Sequence, residues 1–122
     1  MKTVVLIPAY NEEKTIAKVV KDFRKELPKA EILVFDNNSK DRTAKLARKA
    51  GAKVVKAEKQ GKGHVIQKMF SDVDADVYVM VDGDDTYPAE YVHELMKPIV
   101  SNEADMVVGM RMNGFKKEEK AL

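Results

Sequence analysis

Short apolar runs alternate along this chain with longer segments whose apolar residues recur at helical spacing. The runs are Thr3–Ile7 (which Pro8 is predicted to end), Ile32–Phe35, Lys53–Lys56, Val77–Val81 and Asp105–Gly109. The helical spacing falls within residues 16–27, 44–50, 65–73 and 91–96. Strands alternating with helices predict an α/β fold of three layers, α/β/α, with a mainly parallel sheet and helices on both faces.

Residues that favour helix ends support this division. Asn11 and Asp41 are predicted to be the N-caps of the first two helices, and Gly51 is predicted to end the second. Pro88 fits the first turn of the fourth helix, and the helix is predicted to end near Pro98.

The chain length predicts one domain. With 122 residues, 44% of them hydrophobic, the chain can bury a core but leaves no room for a second full domain. We assign residues 1–111 to the domain and residues 112–122 to a charged tail, in which Lys116–Lys120 is a solvated, frayed end.

Composition excludes several classes of function. Lys and Arg total 22 against 20 Asp and Glu, so the net charge of +2 predicts no nucleic-acid partner held by bulk electrostatics. Without cysteine there are no disulfides, zinc-thiolate sites or thiol nucleophiles. We find no signal peptide and no apolar stretch near the roughly 20 residues that span a bilayer, so we expect a soluble, cytoplasmic protein.

Polar residues gather where three predicted strands end, at Pro8–Glu12, Asp36–Ser39 and Asp82–Asp85. Parallel sheets bind ligands beyond these carboxyl ends, near the point where strand order reverses. Each group taken alone is also typical of turns or helix caps. Together, an aromatic ring at Tyr10 and acceptors at Asp36 and Asn37 favour a nucleoside diphosphate whose base and ribose lie over the first two strands.

The acidic residues after the Val77–Val81 run indicate a metal site. Gly83 lets the backbone turn tightly, so that the carboxylates of Asp82 and Asp84 converge. Converging carboxylates suit a hard cation such as Mg²⁺ or Mn²⁺, which takes its other ligands from water and substrate phosphates. The alternative is an ordinary acidic turn that caps the next helix.

The segment Gly61-Lys62-Gly63 precedes a predicted helix and offers a cation and backbone N–H groups to an anion. A flexible loop with a solvated Lys62 is the alternative. The segment is not a Walker loop, and no Gly-x-Gly-x-x-Gly follows the first strand, which disfavours kinase-like and dinucleotide-binding functions.

Five motifs, in order along the chain, resemble those of family 2 glycosyltransferases with the GT-A fold. They are Ile7–Glu13, Asp36–Thr43, Gly61–Gly63, Val81–Asp85 and Val107–Arg111. Within that family, the run Asp82–Pro88 is similar to enzymes that move a hexose from a nucleotide sugar to dolichyl or another polyprenyl phosphate.

The resemblance implies a role for each matching residue. Residues that would border the base and ribose are Pro8, Ala9, Tyr10 and Glu12; those that would face the base are Asp36 and Asn37. Lys62 would lie near the diphosphate, and Asp82 and Asp84 would form the DxD motif that holds Mg²⁺ or Mn²⁺ against it. Asn37 stands where many members have Asp, which leaves both UDP- and GDP-hexoses open as donors.

Members of this family are longer, and their second half supplies acceptor contacts and any catalytic base. This chain stops at Leu122, shortly after Arg111, so it is expected to be a truncated GT-A domain without an assigned catalytic base. A polyprenyl phosphate would be met at the cytoplasmic face of a membrane, and an uncovered edge could lead to self-association. Two alternatives are a nucleotide-sugar-binding module completed by another chain and a phosphoacceptor domain using Asp36 or Asp82 as nucleophile.

Overall fold

The structure, a computed structural model, describes residues 2–100 and 107–108. Its strands are β1 (Thr3–Ala9), β2 (Glu31–Asp36), β3 (Lys53–Lys56), β4 (Val77–Met80) and β5 (Val107–Val108). Its helices are α1 (Ile16–Glu26), α2 (Thr43–Ala50), α3 (Lys62–Asp72), a 3₁₀ turn (Ala89–Tyr91) and α4 (Val92–Val100).

The five strands form one sheet in the order β3-β2-β1-β4-β5, and every neighbouring pair is parallel. The chain first builds outward from β1 through β2 to β3 and then returns to place β4 on the other side of β1. The strand order therefore reverses between β1 and β4, and the loops that follow these strands flank a crevice.

Apolar residues cover both faces of the sheet. On one face, Ile7 and Val79 pack in a buried cluster with Phe23 of α1. On the other face, Phe35 packs in a second cluster with Met69 of α3. The predicted three-layer α/β/α architecture with a parallel sheet is thus confirmed, with α1, α2 and α4 on one side and α3 on the other.

The first strand does not end at Pro8, as its sequence predicts, but continues to Ala9. Pro8 pairs with Phe35, and the carbonyl oxygen of Ala9 accepts from the Asn37 amide at 2.9 Å. Backbone groups alternate between neighbours, and Leu6 already accepts from Val81 on the β4 side, so the nitrogen of Pro8 also faces that side. Proline's missing donor therefore removes no bond between β1 and β2.

The first helix begins at Ile16, and Asn11 is not its N-cap, contrary to prediction. Asn11 has a φ of 52°, a left-handed conformation that asparagine tolerates. Its side-chain oxygen accepts from the Lys40 amide at 2.8 Å. Asn11 therefore links the loop after β1 to the loop after β2, a tertiary contact that local capping patterns do not predict.

The second helix begins at Thr43, with Arg42 at the N-cap position. Asp41 lies one residue earlier than a standard cap, but its carboxylate still accepts from the Thr43 amide at 3.0 Å. The prediction of Asp41 as the N-cap is therefore wrong by one position, although Asp41 still accepts a hydrogen bond from the first residue of α2. Gly51 ends α2 with a φ of 110°, as predicted.

The fourth helix continues to Val100, so the predicted end near Pro98 is wrong. Proline's fixed φ is compatible with a helix, although its ring removes the hydrogen bond to the residue four positions earlier and crowds that residue's carbonyl. Of the predicted fifth strand, 107–108 is described as β5; residues 105–106, 109–111 and the predicted tail 112–122 lie outside the described residues. In the part of the chain that the structure describes, no helix is long and apolar enough to cross a membrane.

Candidate functional site

A cleft of about 300 Å³ opens at the carboxyl ends of β1 and β4. Its walls contain every predicted site residue except Asp36. The lining residues are Pro8, Ala9, Tyr10, Glu12, Asn37, Gln60, Gly61, Lys62, Val65, Asp82 and Asp84. The sheet thus brings together residues that lie more than 70 positions apart in the sequence.

Hydrogen bonds join the loop after β1 to the loop after β2. The Glu12 amide donates to Thr43 Oγ1 at 2.8 Å, and the Glu13 amide donates to the Asp41 carboxylate at 3.2 Å. Desolvation alone would raise the pKa of Asp41, but hydrogen bonds from Thr43 and the Glu13 amide lower it below its ordinary value. An ionised Asp41 therefore helps to hold the loop after β1, which carries the lining residue Glu12.

The acidic loop after β4 supplies two carboxylates to the cleft. Asp82 accepts from the Lys62 ammonium at 2.5 Å, with the Lys62 side chain 57% exposed. Asp84 accepts from the backbone amide of Thr86 at 3.2 Å and from its hydroxyl at 2.7 Å. These bonds orient Asp84. Asp82 is paired instead with Lys62, whose ammonium is carried on a flexible four-carbon side chain.

Gly83 serves this loop in a way that the sequence did not predict. Left-handed backbone occurs at Asp85, with a φ of 62°, and Gly83 is not among the glycines with positive φ. A Cβ atom at Gly83 would instead lie 3.2 Å from Ile16 Cδ1 and 3.5 Å from Ile7 Cγ2. A Cβ atom here would press on Ile16, so glycine favours this close packing against α1, and Thr15 fastens the contact by donating to the Gly83 carbonyl at 2.6 Å.

The residues present fit a divalent cation. Asp82 and Asp84 line the same cleft, and the Lys62 ammonium already sits against Asp82 as a positive group. Among residues 2–100 and 107–108, no group of three or more His, Cys, Asp or Glu side chains is placed to hold a metal. Mg²⁺ typically uses one or two protein carboxylates and completes its shell with water and phosphates, which matches this donor set.

The two residues predicted to face the base are placed differently. Asp36 is 8% exposed, accepts from the Ser39 amide at 3.2 Å and is not among the residues that line the cleft. Asn37 lines the cleft but directs its side chain to a neighbouring loop, where it bonds Ala57 and Gly61. Direct contact of either side chain with a base stays a prediction.

Two lining residues were absent from the sequence-based site, Gln60 and Val65. Val65 belongs to the apolar stripe of α3, which predicts burial and gives no sign of a cleft. Gln60 precedes Gly61, whose amide was expected to be open to an anion. That amide instead donates to Asn37 Oδ1 at 2.9 Å.

A buried hydroxyl lies outside the cleft, at Tyr87. Its ring stacks on Phe23 with 6.4 Å between centroids, and within the described residues its oxygen has no hydrogen-bond partner. Burial, and then the charge of Glu94, raise the pKa of Tyr87 to about 12. Tyr87 therefore stays neutral and acts as a packing residue.

Comparison with known proteins gives matches over nearly the whole chain. The family model described as Glycosyl transferase family 2 matches residues 4–121. Protein RfbJ of Shigella flexneri is 56% identical over 107 residues, which cover 88% of this chain and 83% of that protein. The dolichyl-phosphate hexose transferase of Haloferax volcanii is 37% identical, over 88% of this chain but 47% of that protein.

Solved structures share the fold. Glucosyl-3-phosphoglycerate synthase from Mycobacterium tuberculosis, in complex with Mn²⁺, UDP and glucosyl-3-phosphoglycerate, superposes with a TM-score of 0.75 at 28% identity. The match covers 82% of this chain and 40% of that chain. It confirms the predicted GT-A architecture, and this chain spans less than half the length of both that enzyme and the Haloferax protein.

Proposed function

Because the family model covers residues 4–121, this chain belongs to glycosyl transferase family 2, as its motifs predict, and we propose that it forms the nucleotide-sugar-binding part of an inverting glycosyltransferase. The donor is a UDP- or GDP-hexose, and the acceptor is a polyprenyl phosphate such as dolichyl phosphate, or a glycan. The observation that carries the proposal is the single cleft that gathers both predicted groups, the nucleotide-binding residues and the acid pair.

The donor's base and ribose are assigned to the β1 side of the cleft. Pro8 and Ala9 end β1 there, with Glu12 in the loop that follows. Tyr10 is 47% exposed, which leaves its ring available for contact with a base. Asp36 is buried beside Asn37 at the end of β2 and is proposed to face the nucleotide base.

The diphosphate is assigned to the β4 side, where Asp82, Asp84 and Lys62 meet. A bound Mg²⁺ or Mn²⁺ would neutralise the charge of the departing nucleoside diphosphate. Lys62 would add a second positive charge to the same group. Complexes of the Mycobacterium tuberculosis synthase with Mn²⁺ and UDP, and with Mg²⁺ and UDP, support this assignment.

In the proposed transfer, an acceptor phosphate oxygen bonds the anomeric carbon as the carbon–oxygen bond to the nucleoside diphosphate breaks. The phosphate is already ionised at neutral pH, so this acceptor needs no general base. The name of the Haloferax volcanii relative, dolichyl-phosphate hexose transferase, supports this acceptor class. The reaction is proposed to take place at the cytoplasmic face of a membrane.

A second candidate function is nucleotide-sugar binding without transfer, with another chain or segment completing the site. The coverage of 47% of the Haloferax protein and 40% of the solved synthase favours it. Transfer depends on holding the acceptor in line with the anomeric carbon, and such orientation supplies roughly 7–11 kcal/mol of barrier reduction. Self-association is one proposed route to a complete acceptor wall.

Two measurements on one preparation test both functions. Calorimetry with UDP-glucose and GDP-mannose, with Mn²⁺ or with EDTA, measures donor binding. Transfer of radiolabelled sugar to a short polyprenyl phosphate measures catalysis. We expect metal-dependent binding in the micromolar-to-millimolar range and weak transfer by the 122-residue chain. Efficient transfer by monomeric protein would exclude the binding module, and absence of binding to both donors would refute the proposed function.

A further inference from the structure

The side chain of Asn37 connects the end of β2 to residues 57–61, the loop that joins β3 to α3. Its Nδ2 donates to the carbonyl oxygens of Ala57 at 2.9 Å and Lys59 at 2.8 Å. Its Oδ1 accepts from the Gly61 amide at 2.9 Å and from Gln60 Nε2 at 3.1 Å. An amide has two donor hydrogens and one oxygen with two lone pairs, so these four bonds use its full capacity.

This loop carries part of the cleft wall. The cleft is lined by three consecutive residues, Gln60, Gly61 and Lys62. Gly61 occupies the N-cap position of α3 with a φ of 119°. Lys62, the first residue of α3, contacts Asp82 at 2.5 Å. Any displacement of the loop would therefore move the Lys62 ammonium relative to the acidic loop of β4.

The contacts require an amide at position 37. A carboxylate of the same shape could still accept from Gly61, but it has no hydrogen to donate to the carbonyls of Ala57 and Lys59. It would place negative oxygen against these two oxygens at a site where the residue is 4% exposed. Asn37 is therefore matched to the loop by its donors, which aspartate lacks.

The neighbouring Asn38 repeats the pattern at the surface. Its Nδ2 donates to the Glu58 carbonyl at 2.8 Å and to Gln60 Oε1 at 3.1 Å. Two consecutive amides thus hold the same loop, one buried and one exposed. This arrangement shows that the loop is fastened to the end of β2 and not merely adjacent to it.

We propose that Asn37 is a positioning residue, which sets the place of Lys62 and the start of α3 against the nucleotide diphosphate by holding the 57–61 loop, and which does not read the base directly. The proposal rests on the proposed function and deepens it, because it changes the assignment of Asn37 from a base contact to a support.

The test compares Asn37→Asp with wild type in two measurements. Hydrogen exchange by mass spectrometry follows peptides that cover residues 57–63. Calorimetry measures the affinity for Mn²⁺-UDP and for Mn²⁺-GDP. We expect exchange in 57–63 to accelerate by roughly tenfold, as the loss of buried hydrogen bonds implies. We expect both nucleotides to bind more weakly by a similar factor, with their ratio unchanged.

Gln67→Glu is the matched control, because it makes the same amide-to-carboxylate change at an exposed position of α3 outside the cleft lining. Neither exchange in 57–63 nor nucleotide affinity should change in that variant. If Asn37→Asp does not fold, Asn37→Ser, which keeps one donor and one acceptor, should give a smaller acceleration of the same peptides.

Two results would overturn the proposal. A changed UDP-to-GDP ratio with wild-type exchange in 57–63 would make Asn37 a direct base contact. Wild-type exchange and wild-type affinity together would make it a packing residue. If the wild-type chain binds neither nucleotide, the proposed function fails, and unchanged exchange in Asn37→Asp would then separately refute the claim that this side chain holds the loop.

Discussion

The two sides of the cleft are held by different kinds of contact. On the β2 side, the buried amide of Asn37 makes neutral hydrogen bonds to the backbone of residues 57–61. On the β4 side, Asp82 pairs with the exposed ammonium of Lys62. Asp85, next in the same loop, pairs with the exposed Lys18 at 3.2 Å.

The difference indicates which side of the cleft is a rigid frame and which side is exchangeable, in the sense that a ligand can replace its contacts. A buried hydrogen bond is costly to break because no water replaces it. An exposed ion pair contributes little, about 0–1 kcal/mol, so a metal ion or a phosphate can replace either partner with small loss. We infer that the β2 side keeps its shape while the acidic loop exchanges Lys62 for incoming ligands.

Asp84→Asn should have the largest effect on ligand binding. Removing one charge from a closely paired site costs about 2–5 kcal/mol, so calorimetry should show metal-dependent nucleotide affinity falling by roughly 30-fold or more. The fold should persist, because the amide oxygen can still accept from Thr86. The matched control is Asp85→Asn, whose side chain does not line the cleft. Wild-type nucleotide binding that is unchanged by EDTA would remove the metal from this site.

Lys62→Met should separate binding from stability on the exchangeable side. Loss of a charged contact to the diphosphate should weaken nucleotide binding by roughly tenfold. The free energy of unfolding in urea should change by less than about 1 kcal/mol, because the ion pair with Asp82 is exposed. Lys59→Met removes a nearby lysine that does not line the cleft, and it should leave both quantities unchanged. A large loss of stability in Lys62→Met would show that contacts on the β4 side also stabilise the fold.

Asp41→Ala tests how much the hydrogen bonds between the loops after β1 and β2 contribute to the free energy of unfolding. Because the folded-state pKa of Asp41 is lowered, its contribution is present above the unfolded pKa of about 3.9 and is lost as the pH falls through the lower folded value. We expect the variant to lose roughly 1 kcal/mol at pH 7 and the difference to shrink in acid. Urea titrations at pH 7 and at pH 3 measure this. Asp72→Ala, which removes an exposed partner of Lys68, should cost less, and equal losses would contradict the special place of Asp41.

Tyr87→Phe should have the smallest effect, and with opposite sign. Asn37 uses all of its hydrogen-bonding groups, whereas the Tyr87 hydroxyl is buried without a partner in the described part of the chain. Deleting that hydroxyl should leave the free energy of unfolding unchanged or raise it by up to about 1 kcal/mol. Thermal denaturation with and without Mn²⁺-UDP is the measurement. A clear loss of stability would mean that the hydroxyl has a partner in solution.

The family and the alternation of strands and helices could be read from residues close together in the chain. Apolar runs predicted all five strands, and β3 has the predicted bounds, Lys53–Lys56. The residues at which strands and helices begin and end were predicted less well. Asn11 was assigned to a cap because only its near neighbours are visible in sequence, whereas its oxygen bonds Lys40, 29 residues away.

Membership of the candidate site was predictable for a related reason. Residues that follow parallel strands must meet at one sheet edge, so Tyr10, Asn37 and Asp84 could be placed in one cleft before any contact was known. Their pairings could not. No local pattern shows that Lys62 meets Asp82 or that the Gly61 amide is already used by Asn37.

By itself the sequence determined the order of strands and helices through local periodicity, the family through its five ordered motifs, and most of the residues gathered at the carboxyl edge through the geometry of parallel sheets. Only the tertiary structure decided what each side chain touches. Asn37 supports a loop, Gly83 makes room for Ile16, and β1 continues through Pro8. Each of these outcomes depends on a neighbour distant in sequence, whose position is set by packing and backbone pairing across the whole sheet.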